Sequence, residues 1–72
     1  MKKAQITRSW VVYPPNYEPG SGKYRTVAFL RRAWAIANAM GVGSEVWLRV
    51  NKTFRDGSEE STFGGVIYEV MP

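Results

Sequence analysis

The sequence predicts an α+β fold: a three-stranded antiparallel sheet with one α-helix packed on one face. Three observations carry that expectation. Residues 3–13 and 44–52 are rich in β-branched and aromatic residues, as strands are. Residues 26–40 space their apolar side chains at the helical period. Asp56-Gly57 then separates residues 44–52 from a last apolar stretch, as in a hairpin.

The first strand is expected over 3–13, KAQITRSWVVY. Ile6, Trp10 and Val12 share one parity, and Val11 and Tyr13 share the other. Arg8 interrupts the first set, which places the start of the strand beyond the core. Residues 14–25, PPNYEPGSGKYR, are expected to be a loop, because three prolines and two glycines oppose any regular element. Tyr17, Lys23 and Tyr24 give that loop groups able to bind, although a packed surface loop is its more ordinary role.

The helix is expected over 26–40, with Thr26 as N-cap and Gly41 just past its end. Val27, Phe29, Leu30, Ala33, Trp34, Ile36, Ala37 and Met40 form its inner arc. Ala28, Arg31, Arg32, Ala35, Asn38 and Ala39 form the outer arc. Good helix formers with solubilising charge explain that strip most simply. It would also serve as a flat basic surface for a partner.

The second strand, residues 44–52, alternates cleanly from Glu45 to Asn51. Val46, Leu48 and Val50 point inward, which leaves Trp47 outside with Glu45, Arg49 and Asn51. A tryptophan beside an arginine on a solvent face marks a contact surface. A type I′ turn at Asp56-Gly57 would pair Val50 with Phe63, Val46 with Ile67 and Trp47 with Val66. In strand 59–71, Phe63 and Ile67 would then face the core, while Val66, Tyr68 and Val70 would join Trp47. Gly64-Gly65 marks a site where a bulge would swap these faces. A helical crossover would make the first two strands parallel, with the third between them, giving a single βαββ domain over 1–72 in the order 1-3-2. No segment would then remain to cover the face carrying Val11, Tyr13, Trp47, Arg49 and Tyr68.

At 72 residues the chain buries only about 60% of its unfolded surface, so association would add needed stability. It has no cysteine and no histidine, which removes disulfides, thiolate metal sites and the commonest general base. The longest apolar stretch is broken by Arg31 and Arg32 and is too short to span a bilayer. No apolar run follows Lys2 and Lys3, so a signal peptide is not expected and a cytoplasmic protein is. The net charge of +4 favours nucleic acid or an acidic protein as partner.

Catalytic signatures are absent: no P-loop, no dinucleotide fingerprint and no nucleophile elbow. Ser9 and Ser44 have no histidine to activate them. Glu59 and Glu60 supply too few oxygens for a cation. The expectation is therefore a non-enzymatic binding protein without cofactor or metal. Its nominated contacts are Tyr13, Trp47, Arg49 and Tyr68 on the sheet, Arg31 and Arg32 on the helix, and Lys52 and Arg55 at the hairpin. Tyr, Trp and Arg are the residue types enriched at interface hot spots. The alternatives are a small nucleic-acid-binding domain using Arg8, Arg25, Arg31, Arg32, Arg49, Lys52 and Arg55, and a homodimeric interaction module.

In size and plan, the chain resembles the small phage-encoded inhibitors, including certain anti-CRISPR proteins of strand-helix-strand-strand layout. The resemblance rests on MKKAQI at Met1 to Ile6, the helix from Thr26 to Met40, and SEVWLRV at Ser44 to Val50. It implies a stoichiometric binder that blocks a larger protein or nucleoprotein complex in the host cell. No residue role transfers by position.

Overall fold

The computed structural model describes Ala4–Pro72. Met1–Lys3, and with them the expected beginning of strand 3–13 and part of MKKAQI, lie outside the described residues. The elements are β1 (Gln5–Tyr13), β2 (Arg25–Val27), α1 (Leu30–Met40), β3 (Glu45–Thr53) and β4 (Glu59–Glu69). Among the described residues the fold is α+β, with one helix and one antiparallel sheet, as predicted. The sheet has four strands in the order β2-β1-β3-β4, which corrects the expected three in the order 1-3-2.

The correction has one source. β1 runs antiparallel to both β2 and β3. β2 and β3 are therefore parallel to each other, one on each side of β1, and α1 is the crossover that joins them. The crossover is present but starts from β2, not from β1, because residues 14–24 reverse the chain first. β2 has only three residues, too few to show a period. Thr26, the expected N-cap, pairs instead with Val11. Phe29 holds the N-cap position in an extended conformation and has no side-chain cap bond. Gly41 closes the other end with a positive φ of 104°, donating its N–H to Ala37 O at 3.1 Å.

Fully buried Val12, Ala33, Ala37 and Val46 form the core, with Trp10, Val27, Leu30, Ile36, Met40, Tyr68 and Val70 packed around them. The two alanines let the helix backbone approach the sheet closely. Ser44 is also buried, its hydroxyl donating to Gly41 O at 2.8 Å. Gly43 and Ser44 exchange backbone hydrogen bonds of 2.9 Å with Val70, tying the segment after β4 to the start of β3.

An 11-residue helix is about 16 Å long, whereas the 11 residues of β4 reach about 36 Å. The helix cannot cover the sheet, and the molecule is elongated, 48 by 25 by 15 Å. Ile6, at the uncovered end of β1, is therefore exposed; Phe29 and Trp34, both expected on the inner arc of the helix, are exposed as well.

The hairpin differs in detail from expectation, and the detail decides which side chains face out. Phe54 N–H bonds Ser58 O at 2.8 Å, and Gly57 N–H bonds Phe54 O at 3.0 Å. The loop is thus the three residues Arg55, Asp56 and Gly57, and only Gly57 has positive φ, at 88°. That excludes a type I′ turn, which needs two such residues. The Asp56 carboxylate fixes the loop by accepting from Ser58 N–H at 2.9 Å and from the Ser58 hydroxyl at 2.6 Å.

The extra loop residue pairs Val50 with Thr62, not with Phe63. One register shift between Leu48 and Arg49 restores the expected Trp47–Val66 pair, and a second between Val46 and Trp47 sets Tyr68 opposite Val46. Phe63 therefore leaves the core for the open face, and Ile67 becomes exposed at the second shift. Tyr68 and Val70 join the helix side of the sheet. β4 is apolar on both parities because its register slips twice, not because it is central: it is an edge strand.

Gly64 sits at the first shift. A Cβ there would lie 2.9 Å from Leu48 Cδ2 and 3.4 Å from Leu48 Cβ. Gly64→Ala is expected to lose about 1–3 kcal/mol in urea unfolding, since Leu48 must move along its whole length. An unchanged midpoint would show that Leu48 repacks freely.

Candidate binding face

Strand alternation sends Ser9, Val11 and Tyr13 of β1 to the face opposite the helix, with Glu45, Trp47, Arg49 and Asn51 of β3. β4 adds Ser61, Phe63 and Val66 by register. The face divides into an aromatic half and a polar half.

In the aromatic half, Trp47 is half-buried and central. Its ring meets Tyr13 at 6.1 Å and Phe63 at 6.0 Å between centroids, both at 87°. Its Nε1–H donates to Glu45 Oε1 at 3.3 Å. Loop 14–24 folds back onto this row: Tyr17 and Tyr24 lie 4.6 and 5.9 Å from Tyr13. Asn16 supports the reversal with φ of 56°, a conformation asparagine tolerates better than most residues. The expectation that no segment covers this face is thus corrected. The chain's own loop shields one end, and Val11 beneath is buried. Burial raises the Tyr13 phenol above its ordinary pKa, helped by Tyr17 and Tyr24 and opposed by the Arg49 charge.

Between these rings lies an open pocket of about 430 Å³. Tyr13, Tyr17, Trp47 and Phe63 line it together with Glu45, Asn16, Pro14 and Gly43. Among the described residues, Glu45 is the only formally charged one on its lining.

The polar half is a ladder across three strands. Asn51 Nδ2 donates to Ser9 Oγ at 3.1 Å, Ser61 Oγ donates to Asn51 Oδ1 at 2.9 Å, and Arg49 donates to Ser61 Oγ at 3.3 Å. The last bond draws the Arg49 guanidinium toward the ladder. Lys52 and Glu59 join these residues around a shallow groove.

Of the nominated residues, Tyr13, Trp47 and Arg49 come together. Tyr68 does not: it lies on the helix side, its ring 5.9 Å from Trp34 and its hydroxyl donating to Asn38 Oδ1 at 3.0 Å. Arg31 and Arg32 are exposed on α1, across the sheet from Trp47. Arg55 sits in the hairpin loop and Lys52 near it, paired with Ile6 and Glu60. Phe63, Tyr17, Tyr24 and Glu45 complete the aromatic half but are not among the nominated contacts. Phe63 is readable only through the length of the hairpin loop, which the sequence does not fix, and Glu45 through its shared parity with Trp47.

Among the described residues, no group of three or more His, Cys, Asp or Glu side chains is placed to hold a metal ion. No helix among them is long and apolar enough to cross a membrane. No family model matches the chain, and neither a curated protein nor a solved structure does.

Proposed function

We propose that this is a non-enzymatic binding protein whose aromatic sheet face occludes a surface on a larger protein partner, in the manner of a small inhibitor. The observation that carries this reading is the continuous row Tyr24–Tyr17–Tyr13–Trp47–Phe63, each ring within 6.3 Å of the next. Large rigid rings supply contact area at low entropic cost, and hot spots concentrate in them. The rings already hold one another in place, so binding loses little side-chain freedom.

The distribution of charge favours protein over nucleic acid as partner. Arg31 and Arg32 lie on the helix and Arg55 at the hairpin loop, away from the rings. The aromatic half carries Glu45, and Glu69 pairs beside it in register. A nucleic-acid strand stacked on the rings would bring its phosphates toward those carboxylates.

The test is capture and affinity measurement with Phe63→Ser. Phe63 is 55% exposed, so its loss is expected to cost the fold about the 0.5–1.5 kcal/mol of its contact with Trp47 and to leave the chain folded, as a melt would check. A partner retained by the wild-type chain and by an Arg31→Ala/Arg32→Ala variant should bind Phe63→Ser about 30-fold more weakly, the scale of one hot spot of about 2 kcal/mol. A partner that ignores Phe63→Ser and is lost with the two arginines would place binding on the helix and overturn the reading.

A further inference from the structure

We infer that the pocket between Tyr13, Tyr17, Trp47 and Phe63 receives a compact ammonium group, presented as a lysine side chain of the protein partner. The inference rests on the binding reading above and names what that face grips.

The walls supply the first argument. Tyr13 and Phe63 each stand at 87° to Trp47, so the rings form adjoining sides of a box and not a stack. The face of an aromatic ring attracts a cation within about 6 Å of its centroid, tryptophan most strongly. A flat guanidinium uses one ring face at a time. A compact ammonium is suited to several faces at different angles.

A carboxylate on the lining supplies the second. Glu45 Oε1 is held by the Trp47 indole N–H at 3.3 Å. The carboxylate has further acceptor capacity after that one bond. An apolar group filling the pocket would strip water from Glu45 without replacing it, which is unfavourable. An anion would be repelled. A cation satisfies both the carboxylate and the rings.

The remaining charges agree with this assignment. Among the described residues, no lysine or arginine lines the pocket. Arg49, the cation of this face, is bonded to Ser61 in the polar half. Lys23 lines a separate groove beyond Tyr17. Among the described residues, Glu45 is thus the charge on the lining itself, while the Arg49 charge reaches the pocket from its margin, at Tyr13.

The experiment is an NMR titration of the intact chain, following the Trp47 indole N–H. The probes are an end-blocked trimethyl-lysine and its neutral isostere, in which a tert-butyl carbon replaces the nitrogen. Trimethylation lowers the cost of dehydrating the ammonium while keeping the charge. The cation is expected to give a saturable shift and to bind about 10-fold more tightly than the isostere. Glu45→Gln should remove most of that preference without weakening isostere binding, with an unaltered amide spectrum showing that the fold is kept. Equal binding of the two wild-type titrants, or no saturable shift with either, would overturn the inference. Should Phe63→Ser abolish partner capture while the cation preference is absent, the binding face stands and the lysine assignment fails. A clear cation preference in a protein whose partner ignores Phe63→Ser would separate the two in the opposite direction.

Discussion

Trp47→Ala is expected to lower the melting temperature by about 10–20 °C and to abolish partner binding in the same stroke. The indole makes two perpendicular ring contacts, with Tyr13 and Phe63, and pairs in register with Val11 and Val66. Aromatic pairs of this kind contribute about 0.5–1.5 kcal/mol each beyond the area they bury. With the lost apolar burial, removing the ring costs about 2–3 kcal/mol. A domain of this size has roughly 3–5 kcal/mol in total. Each kcal/mol moves the melting temperature by about 4–8 °C at this length. Circular dichroism melts would check this, with Trp47→Phe retaining most of the stability. A Trp47→Ala melt within a few degrees of the wild type would return Trp47 to the status its parity gives it, a tryptophan simply standing on a solvent face.

Ala37→Leu is the second large effect. Ala33 and Ala37 are fully buried against Val12 and Val46, and their small size sets how closely α1 approaches the sheet. A leucine at 37 would push the helix off the only face of the sheet that it covers. Overpacking typically costs about 1–3 kcal/mol, and the upper end applies here because so few side chains share the strain. Most of the folded population would be lost at moderate urea. Ala39→Leu provides the control: Ala39 is exposed on the same helix, and the change should stay within about 0.5 kcal/mol. If both variants unfold at the same urea concentration, the helix does not dock through its alanines.

The sequence makes some of this legible and hides the rest for identifiable reasons. Alternation from Glu45 to Asn51 correctly separates Val46 from Trp47, because side-chain direction in a strand has period two. The helix and its alanine-bearing inner arc are legible from the 3.6-residue period, and Gly41 marks its end. β2 is not legible: three residues carry no period, and its pairing with β1 depends on a loop whose path the local sequence does not specify. That one omission reverses the direction of β3 relative to β1 and moves β4 to the edge. The faces of β4 are hidden for a different reason. Asp-Gly identifies a hairpin but not whether two or three residues close it, and each unit of slip exchanges inside for outside. Phe63 and Tyr68 consequently trade places. Tyr13, Trp47 and Arg49 keep their place as a group because β1 and β3 pair without a shift.

The central claim, that partners dock on the aromatic sheet face, is tested most directly by oxidative footprinting of the bound complex. Phe63, Tyr24 and Trp34 are exposed to similar extents in the free chain, at 55%, 46% and 42%. The first two lie on the aromatic face and the third on the helix, so each molecule carries its own control. Partner binding should protect Phe63 and Tyr24 from oxidation while Trp34 reacts as before. Protection of Trp34 with Phe63 and Tyr24 still reactive would contradict the account and assign docking to the helix.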